Sequence, residues 1–219
     1  MSSLSAPASS LHAPSTSTSE LAQQDAQRAL HEDTGNGDLT AALVPSDAKA
    51  HARVLLREDA TLCGAPWVEA VIRMLDPQAS IRWHRREGEQ CPAGDVVLEV
   101  EGRARQLLTA ERTALNFLQL LSAVATRTRT YVDAVKGTRA QIVDTRKTLP
   151  GLRLAQKYAV RIGGGTNHRI GLYDAILIKE NHIAAAGGIA QALAAAHRAR
   201  GDAQFIEVEV ETLAQLDEA

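Results

Sequence analysis

Residues 174–211 read DAILIKENHIAAAGGIAQALAAAHRARGDAQFIEVEVE, and this stretch decides the fold class. The apolar run at 174–178 predicts a strand, the alanine-rich segment 189–200 a helix, and the run at 204–210 a second strand. A strand, a helix and another strand in this order are typical of a parallel βαβ unit, so the stretch predicts an α/β fold.

The same alternation begins upstream, where residues 140–144 predict a strand and residues 151–162 a helix. We therefore place an α/β barrel domain at 119–219 and a different, mostly antiparallel domain at 20–118. The sequence also predicts the elements of the domain at 20–118 and of its border. They are a helix at 20–30 capped by Ser19, a strand at 51–56, a helix at 65–75, strands at 81–84 and 96–100, and a helix at 107–135 interrupted near Thr126.

Composition excludes several classes of protein. The 219 residues carry a net charge of −2, which favours neither nucleic acid nor an anionic membrane as a partner. No apolar run approaches the roughly 20 residues that span a bilayer. Residues 1–19 are rich in Ser, Thr, Ala and Pro and hold no Lys or Arg, so they predict a disordered tail rather than a targeting signal. Two cysteines, without metal-site spacing, suit a reducing cytoplasm.

Alternation along the two strands places charges on one face. Lys179 follows the first strand and shares a face with Leu177, whereas Glu209 shares a face with the other glutamates of the second strand. Because the opposite, apolar face should pack on helices, we expect Lys179 and the glutamates to point into the barrel. Charges in such a place need an opposite charge or a ligand, which favours a binding site.

Basic residues are concentrated between positions 146 and 179, where Asp174 is the only acid. The basic set is Arg146, Lys147, Arg153, Lys157, Arg161, Arg169 and Lys179, with His168 among them. The three at helical spacing, Arg153, Lys157 and Arg161, are typical of a solvated helix face. Arg146, Lys147 and Lys179 follow predicted strands, and parallel α/β proteins bind ligands at that end of their strands. A polyanionic ligand suits this cluster.

Three further features are less specific. The run Gly163-Gly164-Gly165 permits close approach of backbone N–H groups to an anion, but such runs also form simple turns. His168 alone is as typical of a structural histidine as of a ligand-binding one. Arg112 lies among apolar residues of a helix, so it needs a partner, which Glu111 or a second subunit can supply.

These residues fall into blocks that together resemble the core of the quinolinate phosphoribosyltransferases. The blocks are DTRKTLP at 144–150, GGGTNHRIGL at 163–172, ILIKENH at 176–182, ED…GDLT at 32–40, ERTALNF at 111–117 and EVEVE at 207–211. They occur in the order typical of the family, from residue 32 to the end. No single block is specific, but the combination is.

The resemblance implies an N-terminal open-faced α/β sandwich followed by an incomplete TIM-like barrel, assembled as a homodimer. By the family pattern, quinolinate and phosphate are bound by Arg146, His168, Arg169 and Lys179, with Thr145 in the same pocket. Lys147 lies beside the reacting centre and Glu209 faces the ribose and metal side; these two are the catalytic candidates. Arg112 reaches the site of the partner subunit.

The activity implied is the reaction of quinolinate with phosphoribosyl pyrophosphate to nicotinate mononucleotide, pyrophosphate and CO2, in NAD biosynthesis. Guanidinium groups bind carboxylates bidentately, which suits a dicarboxylate substrate. Mg²⁺ is expected as the cofactor, held mainly by substrate oxygens near Glu209, and no metal ligand is assigned among the side chains. The resemblance fits a cytoplasmic enzyme.

One departure from the family concerns the end of the chain. Family chains continue past the strand that carries Glu209 through further barrel strands, another acidic residue and glycine-rich phosphate-binding segments. We therefore expect a truncated sequence, and poor stability and little activity if these 219 residues act alone.

Three other functions stay open. A relative encoded beside molybdate transport genes would keep the phosphate-binding residues and fail to turn over quinolinate. A Schiff-base aldolase would use Lys179 and be trapped by borohydride. A non-catalytic anion-binding fragment would bind ligand without releasing pyrophosphate.

Overall fold

The structure is a computed structural model and describes residues 17–219. This part of the chain divides into two compact units, residues 17–168 and Arg169–Ala219. Of the predicted tail at 1–19, residues 1–16 lie outside the described residues, and the other three cap and begin the first helix. The predicted division into domains at residue 119 stays a prediction.

The first unit contains four α-helices, a 3-10 turn and five strands. In chain order they are α1 (Thr18–Thr34), the 3-10 turn Ala41–Leu43, β1 (Lys49–Leu55), β2 (Ala60–Thr61), α2 (Ala65–Leu75), β3 (Ser80–Trp83), β4 (Gln90–Cys91), β5 (Val96–Arg103), α3 (Ala104–Ala134) and α4 (Arg153–Ile162). Strands β1, β5 and β3 form an antiparallel sheet in that order, and β2 pairs with β4. The predicted antiparallel α+β half is confirmed.

Helix α1 begins earlier than predicted. Its cap is Ser17 rather than Ser19: the Ser17 hydroxyl accepts from the backbone N–H of Glu20 at 3.2 Å, and the Glu20 carboxylate accepts from the N–H of Ser17 at 2.7 Å. This reciprocal pair satisfies two N–H groups that the first turn leaves open. Ser19 lies two residues after the cap, within the first turn of the helix, and cannot serve as the cap.

The core of the first unit lies between helices α1, α2 and α3 and the sheet. Trp67, at its centre, is fully buried, and its indole N–H donates to the buried carboxylate of Asp25 at 2.8 Å. Val97 and Leu98 of β5 pack into the same core. Burial of such side chains contributes most of the driving force for folding.

Helix α3 runs for 31 residues without the interruption predicted near Thr126. The Thr126 hydroxyl accepts from the backbone N–H of Thr61 at 2.8 Å, and the hydroxyl of Thr128 donates to the carbonyl of Val124 at 2.8 Å. Thr126 bonds outside the helix and Thr128 shares a carbonyl one turn back, so the backbone hydrogen bonds of the helix continue past both residues.

The strand predicted at 140–144 does not form. Val143 and Thr166 make an isolated parallel bridge, closed by a bond from the N–H of Asp144 to the carbonyl of Thr166 at 3.1 Å. Val143 is half-exposed, so little apolar burial supports a longer strand.

The second unit is a strand–helix–strand unit. Its elements are β6 (Ile176–Ile178), α5 (Glu180–Ala186), α6 (Ile189–Ala199), β7 (Ile206–Val208) and α7 (Leu213–Glu218). Strands β6 and β7 are parallel, with Ile176 opposite Ile206 and Ile178 opposite Val208. Their isoleucines pack on Ala192 and Ala196 of α6, which confirms the predicted βαβ unit and the apolar face of its strands. The fold class is α/β.

Candidate active site

A tight turn presents three of the predicted site residues. The Thr145 hydroxyl accepts from the N–H of Lys147 at 3.1 Å, and the N–H of Thr148 donates to the carbonyl of Arg146 at 3.0 Å. Thr145 and Lys147 are exposed and Arg146 is half-buried. The Nε of Arg146 is buried and has no hydrogen-bond partner within the described residues. A buried donor without an acceptor is costly, and a carboxylate or phosphate oxygen would satisfy it.

Directly before this turn, Asp144 accepts three hydrogen bonds. The donors are Lys157 Nζ at 2.5 Å, Asn167 Nδ2 at 2.7 Å and the N–H of His168 at 2.8 Å. The prediction that Lys157 belongs to a solvated face is therefore wrong, because the turn and the segment around His168 cover the middle of that face. The two neighbours predicted with Lys157 differ from it: Arg153 is half-buried and donates to the Thr148 hydroxyl, while Arg161 is exposed and donates to Asn167.

The glycine run is a helix end packed against α3. The N–H groups of Gly163, Gly164 and Gly165 donate to the carbonyls of Ala159, Arg161 and Val160 at 2.9 to 3.0 Å. A Cβ on Gly163 would lie 2.5 Å from the carbonyl oxygen of Ala125. Since their donors are used within the chain, the turn interpretation of these glycines is favoured over an anion cradle.

His168 is half-buried at the end of the first unit. Its backbone is held on both sides: the N–H donates to Asp144 and the carbonyl accepts from Lys157 Nζ at 3.1 Å. The carboxylate of Asp144 therefore holds the backbone of His168 close to the turn that carries Arg146.

In the second unit, Arg169 is buried and one guanidinium nitrogen donates to the carbonyl of Ala175 at 3.5 Å. The buried carboxylate of Asp174 accepts from the N–H groups of Ile170 and Gly171 at 2.7 and 2.8 Å. Asp174, the only acid in the basic region, therefore shapes the loop that follows Arg169.

The second unit also pairs two predicted site residues. Lys179 Nζ lies 2.7 Å from a carboxylate oxygen of Glu209, with 42% and 53% of the two side chains exposed. The prediction that Lys179 and Glu209 lie on the same face of the two strands is confirmed. Their predicted enclosure inside a barrel is not confirmed, because the sheet of residues 169–219 has two strands, too few to surround them. The hydrogen bond to Glu209, and then its charge, raise the pKa of Lys179, and Arg169 partly opposes this.

Arg112 is exposed on α3, and within residues 17–219 its side chain forms no hydrogen bond or ion pair, with Glu111 or any other residue. Its guanidinium is therefore open to a partner from outside these residues.

Residues 17–219 also bear on metal binding, membrane insertion and thiol chemistry. No group of three or more His, Cys, Asp or Glu side chains is placed to hold a metal ion. None of the helices combines the length and apolar character that crossing a bilayer requires. Both cysteines are buried, and burial raises the pKa of the Cys63 thiol, so it stays protonated and unreactive.

Comparison with known proteins assigns both halves of the chain to one family. Residues 38–122 match the quinolinate phosphoribosyl transferase N-terminal domain, and residues 124–219 match its C-terminal domain. The chain is 45% identical over 205 residues to the nicotinate-nucleotide pyrophosphorylase [carboxylating] of Mycobacterium leprae, covering 90% of this chain and 71% of that protein. It is 44% identical over 188 residues to the probable nicotinate-nucleotide pyrophosphorylase [carboxylating] of Bacillus subtilis, covering 86% of this chain.

The solved structures include the nicotinate-nucleotide pyrophosphorylase from Francisella tularensis, which superposes with a TM-score of 0.87 at 44% identity. That match covers 93% of this chain and 72% of the other. The chain spans 65% of the length of the Bacillus subtilis protein and 56% of a quinolinate phosphoribosyltransferase [decarboxylating] of Nicotiana tabacum.

Proposed function

Because the chain belongs to the quinolinate phosphoribosyltransferase family, we propose that it converts quinolinate and phosphoribosyl pyrophosphate to nicotinate mononucleotide, pyrophosphate and CO2. The observation that carries the proposal in this chain is the turn 145–147. It presents two cations, and the Nε of Arg146 is buried without an acceptor. A substrate with two adjacent carboxylates supplies acceptors for such a donor.

We propose that Arg146 and His168 of the first unit bind quinolinate carboxylates, with Thr145 lining the same pocket. In the second unit, Arg169 and Lys179 are proposed to bind carboxylate or phosphate oxygens. The support is chemical: guanidinium forks fix the orientation of a planar carboxylate, and a lysine adds an unoriented positive charge. Correct orientation brings the pyridine nitrogen to the anomeric carbon and lowers the entropic part of the barrier.

In the first chemical step, the lone pair of the pyridine nitrogen forms a bond to the anomeric carbon. The bond from that carbon to pyrophosphate breaks, and pyrophosphate leaves with the electron pair. Positive charge develops on the sugar, and the carboxylate of Glu209 is suited to stabilise it. Lys147, exposed on its turn, is proposed to lie beside the reacting centre.

In the second step, the ring nitrogen is cationic, so the adjacent carboxylate can leave as CO2. The bonding pair stays on the ring carbon, next to the positive nitrogen, and is then protonated. A site that excludes water favours the loss of CO2, because the negative charge moves from the carboxylate to the ring carbon next to the positive nitrogen.

Mg²⁺ is proposed as the cofactor, carried by the oxygens of the pyrophosphate group, where it would offset the charge of the leaving group. Glu209 is a single carboxylate engaged with Lys179, which does not make a metal site by itself.

A homodimer and a cytoplasmic location are proposed with the activity. Arg112 supports the dimer, because its exposed guanidinium has no partner in the described part of the chain. The two reduced cysteines are compatible with the location.

The Schiff-base alternative is less favoured. A lysine that attacks a carbonyl must be neutral, and catalytic lysines of this kind have lowered pKa values. Glu209 shifts the pKa of Lys179 upward instead.

The test is mass spectrometry after incubation of the purified chain with quinolinate, phosphoribosyl pyrophosphate and Mg²⁺. We expect nicotinate mononucleotide and pyrophosphate in equal amounts, at a rate below that of a full-length relative because the chain spans only part of its relatives' length, and neither product when quinolinate is replaced by benzoate. The Mycobacterium leprae relative serves as a parallel reaction. Turnover by that relative with none by this chain would contradict the proposal for these 219 residues.

A further inference from the structure

The carboxylate of Asp144 joins three segments of the first unit. It bonds to α4 through Lys157 Nζ, and to the segment after the glycine run through Asn167 Nδ2 and the N–H of His168. Asp144 itself directly precedes the turn that carries Arg146 and Lys147. We call Asp144, Lys157 and Asn167 the anchor cluster.

Burial sets the anchor cluster apart from an ordinary surface ion pair. The side chain of Lys157 is 1% exposed and that of Asp144 is 9% exposed. Charges in such a place persist only when they are paired and hydrogen-bonded, and removal of one partner leaves the other without compensation.

The cluster is also closed to ligands. Lys157 Nζ donates to Asp144 and to the carbonyl of His168, at 2.5 and 3.1 Å. Asn167 Nδ2 donates to Asp144 and to the carbonyl of Lys157, and Asn167 Oδ1 accepts from Arg161 at 2.8 Å. With its bonds directed inward and almost no exposed surface, Lys157 does not contact substrate.

We propose that the anchor cluster consists of positioning residues, which hold the turn 145–147 and the backbone of His168 in the arrangement that binds the dicarboxylate. This inference rests on the proposed function. The geometry supports it twice: Asp144 fixes the start of the turn, and both backbone polar groups of His168 are bonded to the cluster. Fixing these segments before binding reduces the conformational entropy that binding would otherwise remove.

The test compares three variants. Lys157→Met removes one charge and leaves Asp144 buried alone, so it is expected to unfold easily. Asp144→Asn/Lys157→Met removes both charges and is expected to recover most of the lost stability. Arg103→Met is the control, because it breaks the ion pair of another buried aspartate, Asp76 at the end of α2, which keeps its hydrogen bonds from the N–H groups of Gln78 and Arg103.

Two properties are measured on each folded variant: quinolinate affinity by calorimetry, and hydrogen exchange of the amides at 145–148 and 166–168. In Asp144→Asn/Lys157→Met we expect affinity to fall by about tenfold or more and exchange of these amides to rise, while amides of α2 stay protected. Arg103→Met should match the unsubstituted chain in both properties.

Quinolinate binding within twofold of the unsubstituted chain in Asp144→Asn/Lys157→Met would overturn the positioning role and leave the proposed function intact. Absence of quinolinate binding by the unsubstituted chain would refute the proposed function, and the positioning role with it.

Discussion

Two lysine–carboxylate pairs, one in each unit, differ in almost every physical respect. Lys157 and Asp144 are buried and hydrogen-bonded to each other and to the segment 167–168, whereas Lys179 and Glu209 leave about half of each side chain exposed. The same two functional groups thus have different uses. We propose that the buried pair fixes the turn 145–147 and that the exposed pair binds ligand; the exposed pair contributes little to stability.

The largest expected effect is on stability. Lys157→Met should lower the free energy of unfolding by about 3–5 kcal/mol, because it leaves the carboxylate of Asp144 buried without its cation. Denaturant unfolding measures the change. A loss no greater than that caused by Lys136→Met, which removes an exposed lysine, would show that the buried pair is not structurally important.

The second effect concerns ligand binding by the exposed pair. Lys179→Met should weaken quinolinate binding or raise its KM by about 10- to 100-fold, as expected for loss of a charged hydrogen bond to the ligand. The melting temperature should move by no more than about 2 °C, because the pair is exposed. Equal binding by this variant and the unsubstituted chain would show that Lys179 does not bind a carboxylate of quinolinate.

A smaller effect concerns the turn. Arg146→Lys keeps the charge but loses the Nε donor and the forked geometry, so affinity for quinolinate should fall by about tenfold. The matched control is Arg139→Lys, at an exposed position before the turn. Similar affinities for both variants would mean that Arg146 acts only through its charge.

The smallest effect is on titration. Glu209 raises the pKa of Lys179, so Lys179 should titrate above an ordinary lysine, and Glu209→Gln should return it to the ordinary range. A group whose pKa is higher in the folded chain stabilises it below the unfolded pKa, and this contribution is lost as the pH rises through the folded value. The pair should therefore hold at neutral pH and open in the alkaline range, as followed by NMR of the lysine side chain.

Local patterns allowed much of the fold to be predicted. Helix α2 was predicted at 65–75 and lies at Ala65–Leu75, because its apolar residues recur at helical spacing between a glycine and an aspartate. Strands β6 and β7 followed from alternation, which also placed Lys179 and Glu209 on one face.

Two of the failures, at Lys157 and at residues 140–144, involve contacts between segments that are distant in the sequence. The period of α4 places Lys157 between Arg153 and Arg161, and it carries no sign that other segments would cover Lys157. Only the pairing with Asp144, 13 residues earlier, reveals its burial. The missing strand at 140–144 has the same origin, since its single bridge depends on Thr166.

The central claim is that the buried pair positions the turn 145–147 and that the exposed cations bind quinolinate. A crystal structure of the chain with quinolinate bound tests this claim most directly. We predict a carboxylate oxygen within hydrogen-bond distance of Arg146 Nε, with Lys157 Nζ still bonded to Asp144. Quinolinate bound to Lys157, or bound away from the turn 145–147, would contradict the account.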